Sequence, residues 1–462
     1  MRITRSEVLK QQRKIRARNR RRIILLNCVF LLAIAALVAV WTSGGSDNNG
    51  KPSGLADGQA GERLNPTADN GGADNAGQSP AGNNDGNDEG QQEGKQRDES
   101  AASNQEEEAG QPDADKEDPA GNKENEGTAE PEEAVIEDKP PLISGTDGTV
   151  TLAFVGDILL AGAVDKLMQK HGYDYPYAKA LPYLQKPDLT AANLENPVTV
   201  RGTPAQDKQF VFKGSPKSLP ALTESGIDVV TLANNHTLDM GVVGLLDTIG
   251  HLDEVGMPHT GGGNDEEEAY EPVILEAKGI KVAYVGVSRV LPDVAWKAGP
   301  NRPGVAESYE TERGIAAVKK AKEQADIVVV MIHWGREKVD YPVDYQPAMG
   351  REYIDAGADL IIGSHPHVLQ GFEQYKGKWI AYSLGNFIFN MTPTLKTRDT
   401  GVLDAVCTKD GDCSLQFHPM LAVESQPTPL EGDAAKQLLA RISKFSINAV
   451  VDEEGYVKVK RK

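Results

Sequence analysis

Between Gly44 and about Gly145 the chain has almost no aromatic or branched apolar residue; Gly, Asn, Asp, Glu, Gln, Ser, Ala and Pro fill the stretch. Such a segment cannot bury a core, so it reads as a disordered, acidic, self-repelling tether. Strong basic runs are as scarce. The one present, formed by Arg2, Arg5, Lys10, Arg13, Lys14, Arg16, Arg18 and Arg20 to Arg22, lies directly before an apolar segment, which argues against nucleic-acid binding. Because these cations sit at one end, the formal net charge of -19 understates the acidity of everything after them. Cysteine occurs three times, and no internal repeat is evident. Cys28 falls within the apolar segment and reads as a packing residue. Cys407 and Cys413 flank Thr408-Lys409-Asp410-Gly411-Asp412, which reads as a hairpin whose three-residue loop sets Gly411 in a left-handed bulge position. The two sulfurs would then face each other across the strands. An extracellular setting permits a disulfide, and two free buried thiols fit the pattern equally well.

A long apolar run also occurs once. Ile23 to Trp41, IILLNCVFLLAIAALVAVW, carries no charge and at 19 residues is long enough to cross a hydrocarbon core of about 30 Å. A cleaved signal peptide is the rival reading, but the run is long for one and Trp41-Thr42-Ser43-Gly44 is a poor cleavage site. Basic sequence before the span and acidic sequence after it orient the N-terminus to the cytoplasm. The chain therefore divides into a basic cytoplasmic tail (1–22), a transmembrane helix (23–41), a disordered acidic linker (42–147), a folded domain (148–425) and a C-terminal helix and tail (426–462). The expected location is the cell membrane, single-pass, with the main domain extracellular.

From Val150 strands and helices alternate. Val150 to Val155, Asp188 to Leu194, Val229 to Leu232, Val273 to Ala277, Lys281 to Val287 and Ile327 to Ile332 read as strands, the last as one buried on both faces. Val164 to Lys170, Lys217 to Ser225, Val242 to Val255, Glu310 to Gln324 and Gln346 to Ala356 read as helices. After the short strand Leu360 to Ile362, the segments Trp379 to Ser383, Val402 to Cys407 and Ser414 to Pro419 suggest antiparallel strands. Leu438, Leu439, Ile442 and Phe445 mark a last amphipathic helix. The pattern is an α/β domain with mixed sheets, two of them packed together and covered by helices.

The strand ends carry the chemistry. Val150 to Val155 runs into Gly156-Asp157, Asp188 to Leu194 into Glu195, Val229 to Ala233 into Asn234-Asn235-His236, and Ile327 to Ile332 into His333. Leu360 to Ile362 runs into Gly363-Ser364-His365-Pro366-His367. Pro366 biases His365 toward extended backbone, in which residues i and i+2 share a face, so both imidazoles are expected to lean into one site. Singly, Asp157 could cap a helix, Glu195 and Asn235-His236 could be turn residues, and His333 a core histidine. Their coincidence at successive carboxyl ends, where ligands collect in open α/β sheets, favours a shared site. Carboxylate, amide and imidazole suit Mn, Fe or Zn. His171, His251, His259 and His418 fit no motif and read as surface or loop residues.

The series GD, NLENP, ANNHTLDMG, HWGRE, GSHPHV and SLGNF, across roughly Val150 to Val423, resembles the CapA family of bacterial capsule and poly-γ-glutamate synthesis proteins. The resemblance implies an αββα two-sheet sandwich of the calcineurin-like metallophosphoesterase type, membrane anchoring, and a role in making, exporting or anchoring an anionic envelope polymer such as poly-γ-glutamate. It further implies one or two divalent metal ions. Glu195, Asn235, His333 and His365 would surround one; Asp157, Glu195 and His367 would surround the other. His236 would be the general acid, oriented by Asp239. The phosphoesterase first motif is Asp-x-His, whereas Leu159 stands at the third position here, so one site lacks a ligand and a mononuclear centre or a weak second metal is expected. A non-catalytic accessory role, binding polymer or supporting a membrane synthase complex, is the alternative.

Overall fold

The computed structural model describes residues 148–390 and 394–460. The tail, the apolar run Ile23 to Trp41 and the whole of the tether lie outside the described residues. Among the described residues no helix is long and apolar enough to cross a membrane.

Two mixed sheets form the body of the domain. In the first, Thr149–Ile158 is central: Leu189–Leu194, Val229–Thr231 and His259–Thr260 follow in parallel on one side, and Asp399–Thr408 and Cys413–Val423 pair antiparallel on the other. In the second, Ile280–Ser288, Ile327–His333, Leu360–Ser364 and Lys378–Ala381 run parallel, edged by the antiparallel strands Val273–Ala277 and Phe372–Tyr375.

Alternation along the strands builds the layers, because successive side chains of a strand point to opposite faces. Val150, Leu152 and Phe154 of the first sheet meet Val282, Tyr284, Ile327, Val329, Met331, Leu360 and Ile362 of the second in one inter-sheet core. Their intervening neighbours face away. Ala153, Val155, Ala192 and Leu194 pack with Leu222, Leu245, Ile249 and Leu252 from the helices Leu219–Glu224 and Gly241–Val255. Val328, Val330, Ile332 and Ile361 pack with Ala317, Val318, Ala321, Tyr353 and Ile354 from Glu312–Gln324 and Tyr345–Asp355. Helices thus cover both outer faces of the sheet pair.

The C-terminal segment is built into this core. Leu438, Leu439 and Ile442 of the helix Gly432–Phe445 join the inter-sheet cluster, as do Ala449, Val451 and Val457 from two short strands, Ala449–Val451 and Tyr456–Val459. The latter pairs with Cys413–Val423 and extends the first sheet. The hairpin between Asp399–Thr408 and Cys413–Val423 has Gly411 at φ 79°, and Cys407 and Cys413, directly opposite in register, are joined by a disulfide. Of the four unassigned histidines, His259 and His418 are neither surface nor loop: both sit half-buried on strands, and His418 Nε2 lies 3.0 Å from Asp404 Oδ2 because the hairpin register carries both residues.

Candidate metal centre

The backbone first brings the strand ends close. Asp157 N–H donates to Gly385 O at 2.9 Å, and a Cβ on Gly156 would lie 1.9 Å from that same oxygen, so only glycine permits this approach. Gly363 does the same in the other sheet, where a Cβ would lie 2.1 Å from Tyr382 O and 2.5 Å from Trp334 Nε1. The parallel strands consequently deliver Asp157, Glu195, Asn235, His333, His365 and His367 to one buried cluster.

Asp157 and Glu195 are fully buried. Asn193 Nδ2 donates to Asp157 Oδ1 at 2.9 Å and to Glu195 Oε2 at 3.3 Å, holding the two carboxyls side by side. His333 Nδ1 lies 2.8 Å from Ser364 Oγ, which turns Nε2 toward Asn235 Oδ1 at 2.9 Å and Glu195 Oε1 at 3.8 Å. His367 Nδ1 donates to Asn386 Oδ1 at 2.8 Å and lies 3.3 Å from Asp157 Oδ2, while its Nε2 lies 3.6 Å from Glu195 Oε1. One ligand atom from each of Asp157, Glu195 and His333 falls within 4.8 Å of the other two, and the same holds for Glu337, His365 and His367.

Two polar atoms in this cluster are buried without any hydrogen-bond partner: Glu195 Oε1 and His365 Nδ1. An orphaned buried carboxylate oxygen is costly in a folded protein unless something positive meets it. His333 Nε2 and His367 Nε2 face that same oxygen, and Asn235 Oδ1 sits beside the first of them. The donor set fits a divalent transition metal.

The electrostatics agree. Burial, and then the neighbouring Asp157, pushes the Glu195 carboxyl well above the usual carboxylate range. Burial opposes ionisation of Asp157 too, but His367 and Asn193 outweigh it and hold its carboxyl low. Burial, followed by the charges of His365 and His367, drives His333 well below the ordinary histidine value, and burial with His367 pushes His365 down to about 3. Neutral imidazoles are the ligand form that a metal requires; His367 differs, its pKa raised against burial by Asp157.

His236 and Asp239 lie at the rim. His236 Nδ1 is 2.7 Å from Asp239 Oδ2, and Phe212 N–H donates to that same oxygen at 2.7 Å. Lys208 completes the group. Its ammonium pairs with Asp239, lies 2.9 Å from His236 Nδ1 and donates to Asn235 O at 2.5 Å. Burial and Lys208 lower the His236 pKa against the pull of Asp239.

The extended-backbone expectation for the His-Pro-His run is corrected by the structure. His365 has φ 95° and His367 φ 55°, so both histidines reach the site from left-handed backbone and not from alternation along a strand. For residues with a Cβ this conformation is strained, and such strain concentrates at functional sites. Sequence reasoning assigned no role to Lys208, Asn193, Ser364, Asn386 or Glu337. All but Lys208 stand inside quoted motifs, so their neighbours were the available signal; Lys208 sits in irregular backbone and gave none.

Comparison with known proteins adds the family. The family model described as "Bacterial capsule synthesis protein PGA_cap" matches residues 151–391. The chain is 34% identical over 320 residues to the PGA biosynthesis protein CapA of Bacillus subtilis, covering 68% of this chain and 83% of that protein. It is 31% identical over 323 residues to the capsule biosynthesis protein CapA of Bacillus anthracis, covering 68% of this chain and 78% of that one. A solved structure, the NAD nucleotidase of Haemophilus influenzae, aligns with a TM-score of 0.36 and 13% identity over 64% of this chain and 63% of that chain, too loose a likeness to bear on the site. On the family match and these identities, the chain belongs to the CapA family of bacterial capsule synthesis proteins.

Proposed function

We propose that this chain works in the synthesis, export or anchoring of poly-γ-glutamate or a capsule polymer, and that its strand-end cluster is a divalent-metal centre of the metallophosphoesterase type on a calcineurin-like αββα scaffold. Ile23 to Trp41 anchors it in the membrane with the folded domain outside, where an envelope polymer is handled. The relatives' own names supply the polymer. The observation that carries the metal is Glu195 Oε1, buried without a hydrogen bond while His333 Nε2 and His367 Nε2 stand 3.8 and 3.6 Å away.

Asp157, Glu195, Asn235, His333, His365 and His367 would hold one or two ions of Mn, Fe or Zn, whose contribution is Lewis-acid polarisation of a phosphoryl oxygen. The chain's own groups do the rest. Asp239, itself held by the Phe212 N–H, fixes the His236 ring through Nδ1, leaving Nε2 as the atom that exchanges a proton with the leaving group. Lys208 offsets the Asp239 charge and adds a cation beside the ring, which favours an anionic substrate. Ser364 and Asn386 orient His333 and His367, as supporting partners of ligand histidines do.

A second reading has one observation in its favour. Leu159, fully buried, occupies the position where the phosphoesterase pattern has a histidine, which weakens hydrolysis and suits an accessory subunit that binds polymer or supports a membrane synthase complex. Turnover of bis(p-nitrophenyl) phosphate by the purified full chain with added Mn2+ separates the two. The catalytic reading expects His236→Ala to cut the rate by roughly 10²- to 10⁴-fold while bound metal is unchanged. Bound metal without turnover in the wild type supports the accessory role.

A further inference from the structure

Leu159 leaves the Asp157 side of the centre one ligand short. Its neighbours Ile158 and Leu160 pack into the helix-side cluster, and Leu159, fully buried, offers only hydrocarbon. A carboxylate arrives from a different element. Glu337 lies four residues beyond His333, on a loop that folds back over the His365-Pro366-His367 turn. Lys338, at φ 60°, donates its N–H to Pro366 O at 2.8 Å, and Gly335 N–H donates to the Tyr345 hydroxyl at 2.7 Å. Gly335 has φ 89°, and a Cβ there would come within 3.1 Å of Pro366 Cγ, so the loop is seated directly on the proline between the two histidines.

This seating brings a Glu337 carboxylate oxygen and ring nitrogens of His365 and His367 within 4.8 Å of one another. The group does not rest on an exposed acid alone. His365 is only 5% exposed, and its Nδ1 has no hydrogen-bond partner. Both histidines hold left-handed backbone, a conformation retained where the surroundings enforce it. Among the described residues Glu337 makes no ion pair.

We infer that Glu337 is a metal ligand, supplying with His365 and His367 the outer of two cation positions. The inference rests on the metal-centre reading above and extends it: the second ion is held by a carboxylate carried on the loop after His333. Hard oxygen from Glu337 beside two imidazoles suits Mn2+ or Zn2+. His367 would then face both positions, through its 3.6 Å approach to Glu195 Oε1 and its place beside Glu337.

The test uses the purified full chain, stripped with chelator and titrated with Mn2+, reading ion stoichiometry by mass spectrometry and affinity by calorimetry. Wild type should bind two ions. Glu337→Gln, an isosteric change at an exposed position, should keep the inner ion and weaken the outer one by about 100-fold or more, beyond the loss that follows removal of a supporting partner. Two ions bound by Glu337→Gln with wild-type affinity would overturn the inference, as would a single ion in the wild type. A wild type that binds no ion removes the metal-centre reading together with it, a result distinct from both.

Discussion

Replacing His333 with alanine probes the centre at its most buried imidazole. His333 is 1% exposed, with Ser364 Oγ and Asn235 Oδ1 at 2.8 and 2.9 Å on its two ring nitrogens. Deleting the ring has two separable effects. Without metal, the cavity and two polar groups left without partners should cost about 2–4 kcal/mol of stability. With metal, the effect lies in linkage: an ion at 100 times its Kd stabilises the wild type by about 2.7 kcal/mol, whereas a ligand loss that weakens binding 100-fold leaves about 0.4 kcal/mol at the same concentration. For a domain of this size each kcal/mol moves Tm by about 2–4 °C, so Mn2+ should raise the wild-type Tm by about 5–10 °C and the variant's by only about 1 °C. Thermal unfolding followed by circular dichroism, with and without Mn2+, reads both effects in one experiment. A variant whose Tm rises with metal as much as the wild type's would refute His333 as a ligand, whatever its intrinsic stability.

Reduction of the Cys407–Cys413 bond reopens a short loop, so dithiothreitol should lower stability by about 2 kcal/mol in the wild type and leave a Cys407→Ala/Cys413→Ala variant unmoved; equal shifts in both would mean that the bond contributes nothing. Removing residues 1–41 should release the protein from the membrane fraction, and limited proteolysis should clear the stretch 44–145 before any cut inside the folded domain. Retention of the truncated chain on membranes, or protected fragments mapping within 44–145, would contradict the anchor and the tether respectively.

The parts of the fold legible in the sequence are those set by local periodicity. Ile327 to Ile332 alternates into two different cores, which is why a continuous apolar run there identifies a strand buried on both faces. The hairpin and the facing of its two cysteines were readable because Gly411 fixes the loop, but the bond itself was not, since facing thiols fit the free and the bonded state equally. Ala449–Val451 and Tyr456–Val459 are too short to show a period, and their place is fixed by pairing with distant residues. At the centre, strand ends announced Asp157, Glu195, Asn235 and His333. The approach of His365 and His367 through left-handed backbone ran against the local preference that Pro366 imposes, because contacts from the loop after His333 and from Asp157 outweigh it. Lys208 reaches His236 from an irregular segment, so only tertiary structure reveals it.

The buried cluster is, at the centre of all this, a metal site. Ion content of the purified full chain, dialysed against metal-free buffer and read by mass spectrometry, tests that directly. At least one Mn, Fe or Zn ion per chain should survive dialysis. A chain that carries none, and takes up none when Mn2+ or Zn2+ is restored, would contradict the account.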